Sequence, residues 1–218
     1  MDKKGVLMKS IYLVFWFILF FGVGAREESK APDGCLVADI IFIADWSGSI
    51  KGNEGFVVDA IETAIGELRL SERLVKVGVI SFSDVAFLRS SLTTDRMRLA
   101  DSLATLSKFS ANGSTNYGPA FFLARRAFSP IDSIGLGRKG VQKIIVFISD
   151  GLPSDFGTAI EPINAMKILD GVKVVCVNPS SEESSKAILL EIATDESLYF
   201  EVEYESLVEL FKKLDICG

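Results

Sequence analysis

Two near-continuous apolar runs constrain the fold of this chain more than any other feature. Residues Ala38–Ala44 and Lys143–Ser149 consist almost wholly of aliphatic and aromatic side chains. A strand with one face in water alternates between apolar and polar residues, whereas these runs predict central strands covered on both faces. Strands of this kind occur in parallel sheets that have a layer of helices on each side.

Segments with helical periodicity separate the predicted strands. Between Val57 and Leu68, apolar residues recur at every third or fourth position, which forms one stripe of a helix. Other strands are predicted at 75–82, 86–92, 172–177 and 198–202, and other helices at about 94–106, 120–127, 158–169, 183–193 and 206–214. Because parallel strands need crossover connections, this order predicts a doubly wound, Rossmann-like α/β domain. We expect a mostly parallel sheet with helices on both faces and segment 86–92 as one antiparallel edge strand.

The first 25 residues have the pattern of a cleaved signal peptide. Three lysines precede an uncharged apolar run at Ile11–Gly22, and Val23-Gly24-Ala25 has the small residues of a cleavage site. The run is shorter than the roughly 20 residues that span a bilayer. We therefore expect a secreted or extracellular protein with no membrane span after cleavage near Ala25. Residues 26–35 are then a short polar leader, and residues 36–217 form a single domain.

Composition excludes several classes of function. The 218 residues include no histidine, so Ser-His-Asp and Cys-His catalysis and His-ligated zinc or haem are unavailable to the chain. The net charge is −6, from 29 acidic and 23 basic side chains. A nucleic-acid binder needs clustered Lys and Arg, so we expect no nucleic-acid partner. Chemistry at any site must come from carboxylates, hydroxyls, lysines, thiols or a metal ion bound by oxygen.

Three cysteines predict one disulfide bond. Cys176 lies inside a predicted buried strand and is expected to be an inert core thiol. Cys35 directly precedes the first core strand and Cys217 follows the last predicted helix, so a bond between them would join the two ends of the domain. Such a pair is expected to be oxidised in an exported protein. The alternative is two free thiols in a reducing compartment.

Polar residues follow both apolar strands. Asp45, Ser47 and Ser49 come after the first strand at spacing i, i+2, i+4, so a turning chain can direct three oxygens to one centre. Asp150 comes after the second strand, and a glycine-rich loop carries Thr115. Ligands of doubly wound domains bind beyond the carboxyl ends of the strands. These two carboxylates and three hydroxyls form an all-oxygen set that suits Mg²⁺ or Mn²⁺.

Together the three elements resemble the von Willebrand factor type A domain family, which includes the integrin I domains. Asp45-Trp-Ser-Gly-Ser49 matches the family's Asp-x-Ser-x-Ser element. Gly113–Ala120 is similar to its second element and Ile148-Ser-Asp-Gly151 to its third. The resemblance covers about residues 36–217. It implies a metal-ion-dependent adhesion site whose metal residues are Asp45, Ser47, Ser49, Thr115 and Asp150.

The resemblance also implies how such a site works. Hydroxyls are neutral ligands, and carboxylates that bind partly through water leave the ion electron-poor. The open position on the ion then favours a Glu or Asp side chain of another protein. We therefore expect a non-catalytic, adhesion-type module that binds an acidic residue of a protein partner through Mg²⁺ or Mn²⁺.

Three further features bear on how a partner would reach the predicted site. Trp46 and Tyr117 are candidates for an exposed ligand face, and are equally well explained as rings packed on neighbouring loops. In relatives the last helix slides when affinity changes, so a bond between Cys35 and Cys217 would tether it and favours fixed affinity. Asn112-Gly-Ser114 is a glycosylation sequon, and a glycan there would crowd the ligand face.

Two other classes of protein stay open as alternatives. Type A domains also occur as subunits of intracellular assemblies such as chelatases, although the signal-like N-terminus favours export. A magnesium-dependent phosphoryl-transfer enzyme would use Asp45 or Asp150, but the sequence contains no Gly-x-x-x-x-Gly-Lys-[Ser/Thr] loop. The oligomeric state is left open by the sequence pattern.

Overall fold

A computed structural model describes residues 29–132, 134, 136–180, 183–201, 211–212 and 214–217. The strands are β1 (Ala38–Asp45), β2 (Val75–Phe82), β3 (Ala86–Thr93), β4 (Gln142–Ile148), β5 (Val172–Asn178) and β6 (Tyr199–Glu201). The α-helices are α1 (Glu54–Gly66), α2 (Arg96–Leu106), α3 (Tyr117–Ala127), α4 (Phe156–Leu169) and α5 (Glu183–Ile192), and short 3-10 helices occur at Gly48–Ile50 and Glu196–Leu198. The predicted signal peptide and most of the last predicted helix lie outside the described residues.

The six strands form one sheet in the order β3-β2-β1-β4-β5-β6. Every neighbouring pair is parallel except β2 and β3, which pair antiparallel at one edge. The expected doubly wound topology with one antiparallel edge strand is therefore confirmed. From β1 the chain winds first toward β2 and β3 and later toward β4, so the winding direction reverses between β1 and β4.

The central strand β1 is buried along its whole length, as its apolar run predicts. Ile40 and Phe42 point into the core beneath α1 and α2, whereas Ile41 and Ile43 point into the core beneath α3, α4 and α5. Because both faces are covered, the ends of β1 are the parts of the strand that open onto loops.

The one charged residue inside β1 has a structural partner. Asp39 is fully buried, and its two carboxylate oxygens accept hydrogen bonds of 2.7 Å from the Arg138 backbone N–H and from Arg138 Nε. Arg138 Nη2 also donates to the carbonyls of Ala38 and Leu74. Burial raises the pKa of Asp39, and the guanidinium opposes that shift. This pair holds the loop before β4 against the amino-terminal ends of β1 and β2.

A disulfide bond joins Cys35 to Cys217, across 182 positions of sequence, as predicted. Beside it, the Leu36 N–H donates to the Asp215 carbonyl, and the Cys217 N–H donates to the Leu36 carbonyl. Cys176 is a buried free thiol, also as predicted. The disulfide therefore closes the domain just before β1 begins, at the end of the sheet opposite to the residues that follow β1.

In the described part of the chain, we find no helix with the length and apolar character that a membrane crossing requires.

Candidate metal centre

The turn after β1 gathers the first three predicted residues. The Ser47 N–H donates to Asp45 Oδ1 at 2.8 Å, which folds the chain back over the end of the strand. The hydroxyls of Ser47 and Ser49 then lie 3.1 Å apart. Asp45 and Ser47 are fully buried, whereas Ser49 is exposed in the middle of the short 3-10 helix. The spacing i, i+2, i+4 therefore directs three oxygens to one place, as expected.

Asp150 joins this group from the neighbouring strand β4. Ser49 Oγ donates to Asp150 Oδ1 at 2.9 Å, and this contact bridges the loops after β1 and β4. The Asp150 carbonyl accepts a hydrogen bond of 2.8 Å from Ser185 Oγ of α5, which holds the loop in place from behind. The two loops meet where the winding of the sheet reverses, the usual ligand position in doubly wound folds.

Thr115 reaches the same place from the loop before α3. Gly151 lies so close to it that a β-carbon on Gly151 would be 3.0 Å from Thr115 Oγ1 and 3.3 Å from Ser49 Oγ. A larger residue at position 151 would push these two hydroxyls away. The structure thus brings all five predicted residues together.

The loop that carries Thr115 is fixed by its backbone. The Gly113 carbonyl accepts from the Gly48 N–H at 3.0 Å, and the Ser114 N–H donates to Asp84 Oδ1 at 3.0 Å. Gly113 has a φ of +90°, and a β-carbon there would collide with the Asp84 carboxylate. A glycine is therefore required at this position for both its conformation and its close approach.

Helix α3 begins at Tyr117, three residues earlier than the apolar periodicity indicates, because a distant carboxylate caps it. Asp155 accepts from the N–H groups of Tyr117 and Gly118, each at 2.8 Å. These are orphan donors at the first turn of a helix, where a carboxylate is also favoured by the helix dipole. Asp155 thereby fixes the end of the Thr115 loop, a role that the sequence alone did not reveal.

A chain of hydroxyl groups supports Asp45 from the interior. Ser149 Oγ donates to Asp45 Oδ2 at 2.5 Å. The Tyr117 hydroxyl lies 3.1 Å from Ser149 Oγ and donates to the Gly151 carbonyl at 2.7 Å. The sequence pattern alone does not reveal this role of Ser149, although the residue lies between two positions of the third motif and directly follows a buried strand.

The charge on Asp45 is poorly compensated by protein groups. Burial raises the pKa of Asp45 to about 6, although hydrogen bonds from Ser149 and Ser47 oppose the shift and Asp150 adds to it. Within the described ranges, Asp45 forms no ion pair with a lysine or arginine. A divalent cation would supply the missing positive charge, so the all-oxygen donor set fits a hard ion such as Mg²⁺ or Mn²⁺.

Both candidates for an exposed ligand face lie in the interior. Trp46 is 6% exposed and its Nε1 donates to the Phe109 carbonyl at 2.9 Å. Tyr117 is fully buried, its ring packs edge-on against Phe82 and Phe147, and burial raises its pKa. The structure therefore favours the alternative that the sequence left open, in which both rings are packed inside the domain, Trp46 against the loop that carries Phe109 and Tyr117 against strands β2 and β4.

The family model for the von Willebrand factor type A domain matches residues 39–213. The chain belongs to that family. It is 28% identical over 195 residues to the human collagen alpha-5(VI) chain, and the match covers 86% of this chain and 7% of the collagen chain. The chain therefore spans only a small part of the curated relative that it matches.

Solved structures share the fold. Manganese-loaded TRAP protein of Plasmodium vivax superposes with a TM-score of 0.69 at 17% identity, covering 83% of this chain and 74% of that one. Proximal thread matrix protein 1 of the mussel byssus, with a zinc-occupied MIDAS motif, superposes with a TM-score of 0.63 at 20% identity, covering 83% and 45%. Identities this low establish similarity of fold.

Proposed function

We propose that this protein is a binding module, and not an enzyme, that holds a protein partner through a divalent cation at the five-residue centre. One observation carries the proposal: the fully buried Asp45 carboxylate lacks a basic partner among the described residues and lies within a group of converging oxygens. Support for a divalent cation comes from two proteins that share the fold, the manganese-loaded TRAP protein and the mussel protein with its zinc-occupied MIDAS motif.

The residues divide into two roles in this proposal. Ser47, Ser49 and Thr115 would offer neutral hydroxyl oxygens to the ion, whereas Asp45 and Asp150 would hold coordinated water and hydroxyl groups by hydrogen bonds. When bound, the ion supplies a Lewis-acidic position for an anionic oxygen. Ser49 is exposed and Asp150 is half-buried, so the outer side of the centre is open to a partner.

An Asp or Glu side chain of a protein is the partner group that fits this arrangement. With neutral ligands contributing most of the direct contacts, the ion keeps enough positive charge to favour a carboxylate. The net charge of −6 does not prevent this, because surface charges are screened within about 8 Å at physiological salt. We propose Mg²⁺ or Mn²⁺ as the ion, since all five residues offer oxygen.

We also propose that the protein is exported. The signal-like residues 1–25 lie outside the described structure, so the support comes from their sequence pattern and from the disulfide between Cys35 and Cys217. A disulfide that joins the two ends of a domain is typical of an oxidising compartment. Residues 1–25 retained in the mature protein, together with free thiols, would instead favour an intracellular assembly subunit.

Capture of partners from the protein's native surroundings tests the mechanism. The samples are wild type in Mg²⁺, wild type in chelator, and the variant Thr115→Ala in Mg²⁺, with Thr105→Ala as the matched control because Thr105 is exposed on α2. We expect a partner to be retained by wild type and Thr105→Ala in Mg²⁺ and lost in the other two samples. Equal retention in all samples would refute a metal-bridged contact, and a phosphate ester hydrolysed with Mg²⁺ by wild type but not by Asp45→Ala would favour an enzyme.

A further inference from the structure

The guanidinium of Arg89, on the edge strand β3, is held between two exposed phenylalanine rings, Phe87 of the same strand and Phe109 of the loop after α2. Arg89 Cζ lies 5.0 Å from the centroid of the Phe87 ring and 5.4 Å from that of Phe109. Its Nε donates to Ser81 Oγ at 2.7 Å, and Ser81 is buried in β2. The cation is therefore fixed in position, since it is anchored from beneath and flanked by ring faces that attract it.

The positive charge of Arg89 has no acidic partner among the residues that the structure describes. Four other arginines of the domain do pair with aspartates: Arg69 with Asp33, Arg125 with Asp170, Arg126 with Asp132 and Arg138 with Asp39. Among the described residues, the Arg89 side chain makes one hydrogen bond, from Nε to Ser81. Its four terminal N–H groups are therefore available to bind a partner. A partly desolvated guanidinium pairs with a carboxylate more strongly than a fully hydrated one does.

The surroundings of Arg89 are apolar and exposed. Val85, Phe87 and Phe109 leave 53%, 51% and 53% of their surface in solvent. We call Val85, Phe87, Arg89 and Phe109 the Arg89 face. It combines one fixed cation with aromatic surface on both sides, which is the composition of a protein-binding surface.

Two hydrogen bonds of neighbouring residues link the Arg89 face to the loops of the candidate metal centre. Asp84, the neighbour of Val85, accepts the hydrogen bond from Ser114 that fixes the Thr115 loop. The Phe109 carbonyl accepts the indole hydrogen bond of Trp46, which directly follows Asp45. Asp45 pairs with Phe82 across β1 and β2, and Phe87 pairs with Ser81 across β2 and β3, so the Arg89 face lies at the same end of the sheet as the centre. A peptide segment bound at the centre can therefore continue over this face.

We propose that Arg89 binds a second carboxylate of the same partner segment whose first carboxylate reaches the metal ion, so that the module recognises a doubly acidic protein segment. This inference rests on the proposed function. The planar guanidinium can grip a carboxylate through two parallel hydrogen bonds, and the flanking rings can cover an apolar side chain between the two acids. A sulfated polysaccharide fits less well, because it needs clustered cations and this face carries one arginine on a chain of net charge −6.

A random peptide library displayed on phage tests the proposal, with selection on the full protein in Mn²⁺. The baits are wild type, Arg89→Gln, Thr115→Ala and the matched control Arg73→Gln, since Arg73 is exposed just before β2, at the opposite end of the sheet. We expect peptides from wild type and Arg73→Gln to share two acidic positions, and those from Arg89→Gln to keep one. The best peptide should bind Arg89→Gln about fivefold to tenfold more weakly than wild type in a fluorescence anisotropy titration, as expected for a partly desolvated charge pair. Its version with the second acid changed to the amide should bind both proteins equally.

Other outcomes separate this inference from the proposed function. If chelator and Thr115→Ala leave all peptide binding intact while Arg89→Gln still loses the second acid, the metal mechanism fails and the role of Arg89 stands. If binding needs Mn²⁺ but Arg89→Gln selects the same peptides as wild type, the role of Arg89 is refuted. It is also refuted if heparin binds wild type and loses affinity for Arg89→Gln while the peptides do not, or if wild type selects no acidic peptide.

Discussion

Replacing the buried Asp45 by asparagine should stabilise the metal-free protein at neutral pH. Burial holds the pKa of Asp45 at about 6, above the value of 3.8 that the side chain has in an unfolded chain. The native state therefore binds more protons than the unfolded state between pH 4 and pH 6, and wild type loses stability as pH rises through this window. Asp45→Asn carries no charge and should escape that loss.

The expected size of the effect follows from the same two values. The difference between 3.8 and about 6 corresponds to roughly 3 kcal/mol. The hydrogen-bonded chain can accept the new amide, because Oδ1 still accepts from Ser47, Nδ2 can donate to Ser149, and Ser149 can then donate to Tyr117. Asp45→Asn should therefore exceed wild type by up to roughly 3 kcal/mol in free energy of unfolding above pH 6, and match it below pH 4.

Urea denaturation in chelator, at pH 4, 5, 6 and 7.5, measures this difference. Trp46 is the one tryptophan that follows residue 25, and it is buried beside the centre, so its fluorescence reports unfolding at the site. Asp95→Asn is the matched control, because Asp95 is an exposed helix cap that asparagine can replace. At a free metal concentration of 100 times Kd, the free energy of unfolding of wild type should rise by about 2.7 kcal/mol, and that of Asp45→Asn should rise far less.

Two results would refute this reasoning. One is a loss of stability in Asp45→Asn in chelator at pH 7.5. The other is a difference from wild type that does not change with pH, since burial of the charge would then not be what weakens the metal-free protein.

Three further predictions concern residues outside the proposed ligands. Arg138→Met should lower the free energy of unfolding by about 3–5 kcal/mol in urea denaturation, because it leaves Asp39 buried without its cation; a loss within error of zero would contradict this. Cys35→Ser combined with Cys217→Ser should cost up to about 5 kcal/mol by the chain-entropy model, yet leave Mn²⁺ affinity unchanged in calorimetric titration, since the bond lies at the opposite end of the sheet. Trp46→Phe should cost about 1 kcal/mol, measured by circular dichroism in urea, for the lost indole hydrogen bond. The variant Trp46→Phe should still capture the partner. If it does not, Trp46 takes part in binding after all.

Much of the fold could be predicted because strongly patterned segments decide it. The run that forms β1 is apolar on both faces, and each helix beside it has one apolar stripe. The local pattern of each segment therefore predicts the same arrangement that the packed domain has, a buried strand covered by crossover helices. The sequence pattern places the start of α3 three residues too far along the chain. The reason is that the residue capping this helix, Asp155, lies 38 residues after Tyr117. A contact at that separation leaves no local pattern in the sequence.

The sequence predicted which residues form the site better than it predicted the directions in which the neighbouring aromatic side chains point. The positions of Asp45, Ser47 and Ser49 follow from a turn of the backbone, which local spacing describes well. The direction of the aromatic rings depends on which neighbours pack against them, so Tyr117 points inward to the Gly151 carbonyl. The position of Arg89 between two rings depends on the pairing of β2 with β3 and on the loop after α2, neither of which a single segment specifies.

Titration of the chelator-treated protein with Mn²⁺ in a calorimeter tests the central claim most directly. We predict one Mn²⁺ bound per chain by wild type and by Thr105→Ala, and a large loss of affinity in Thr115→Ala, whose hydroxyl the other four residues cannot replace. Wild type that takes up no Mn²⁺, or Thr115→Ala that binds it as tightly as wild type does, would contradict the account.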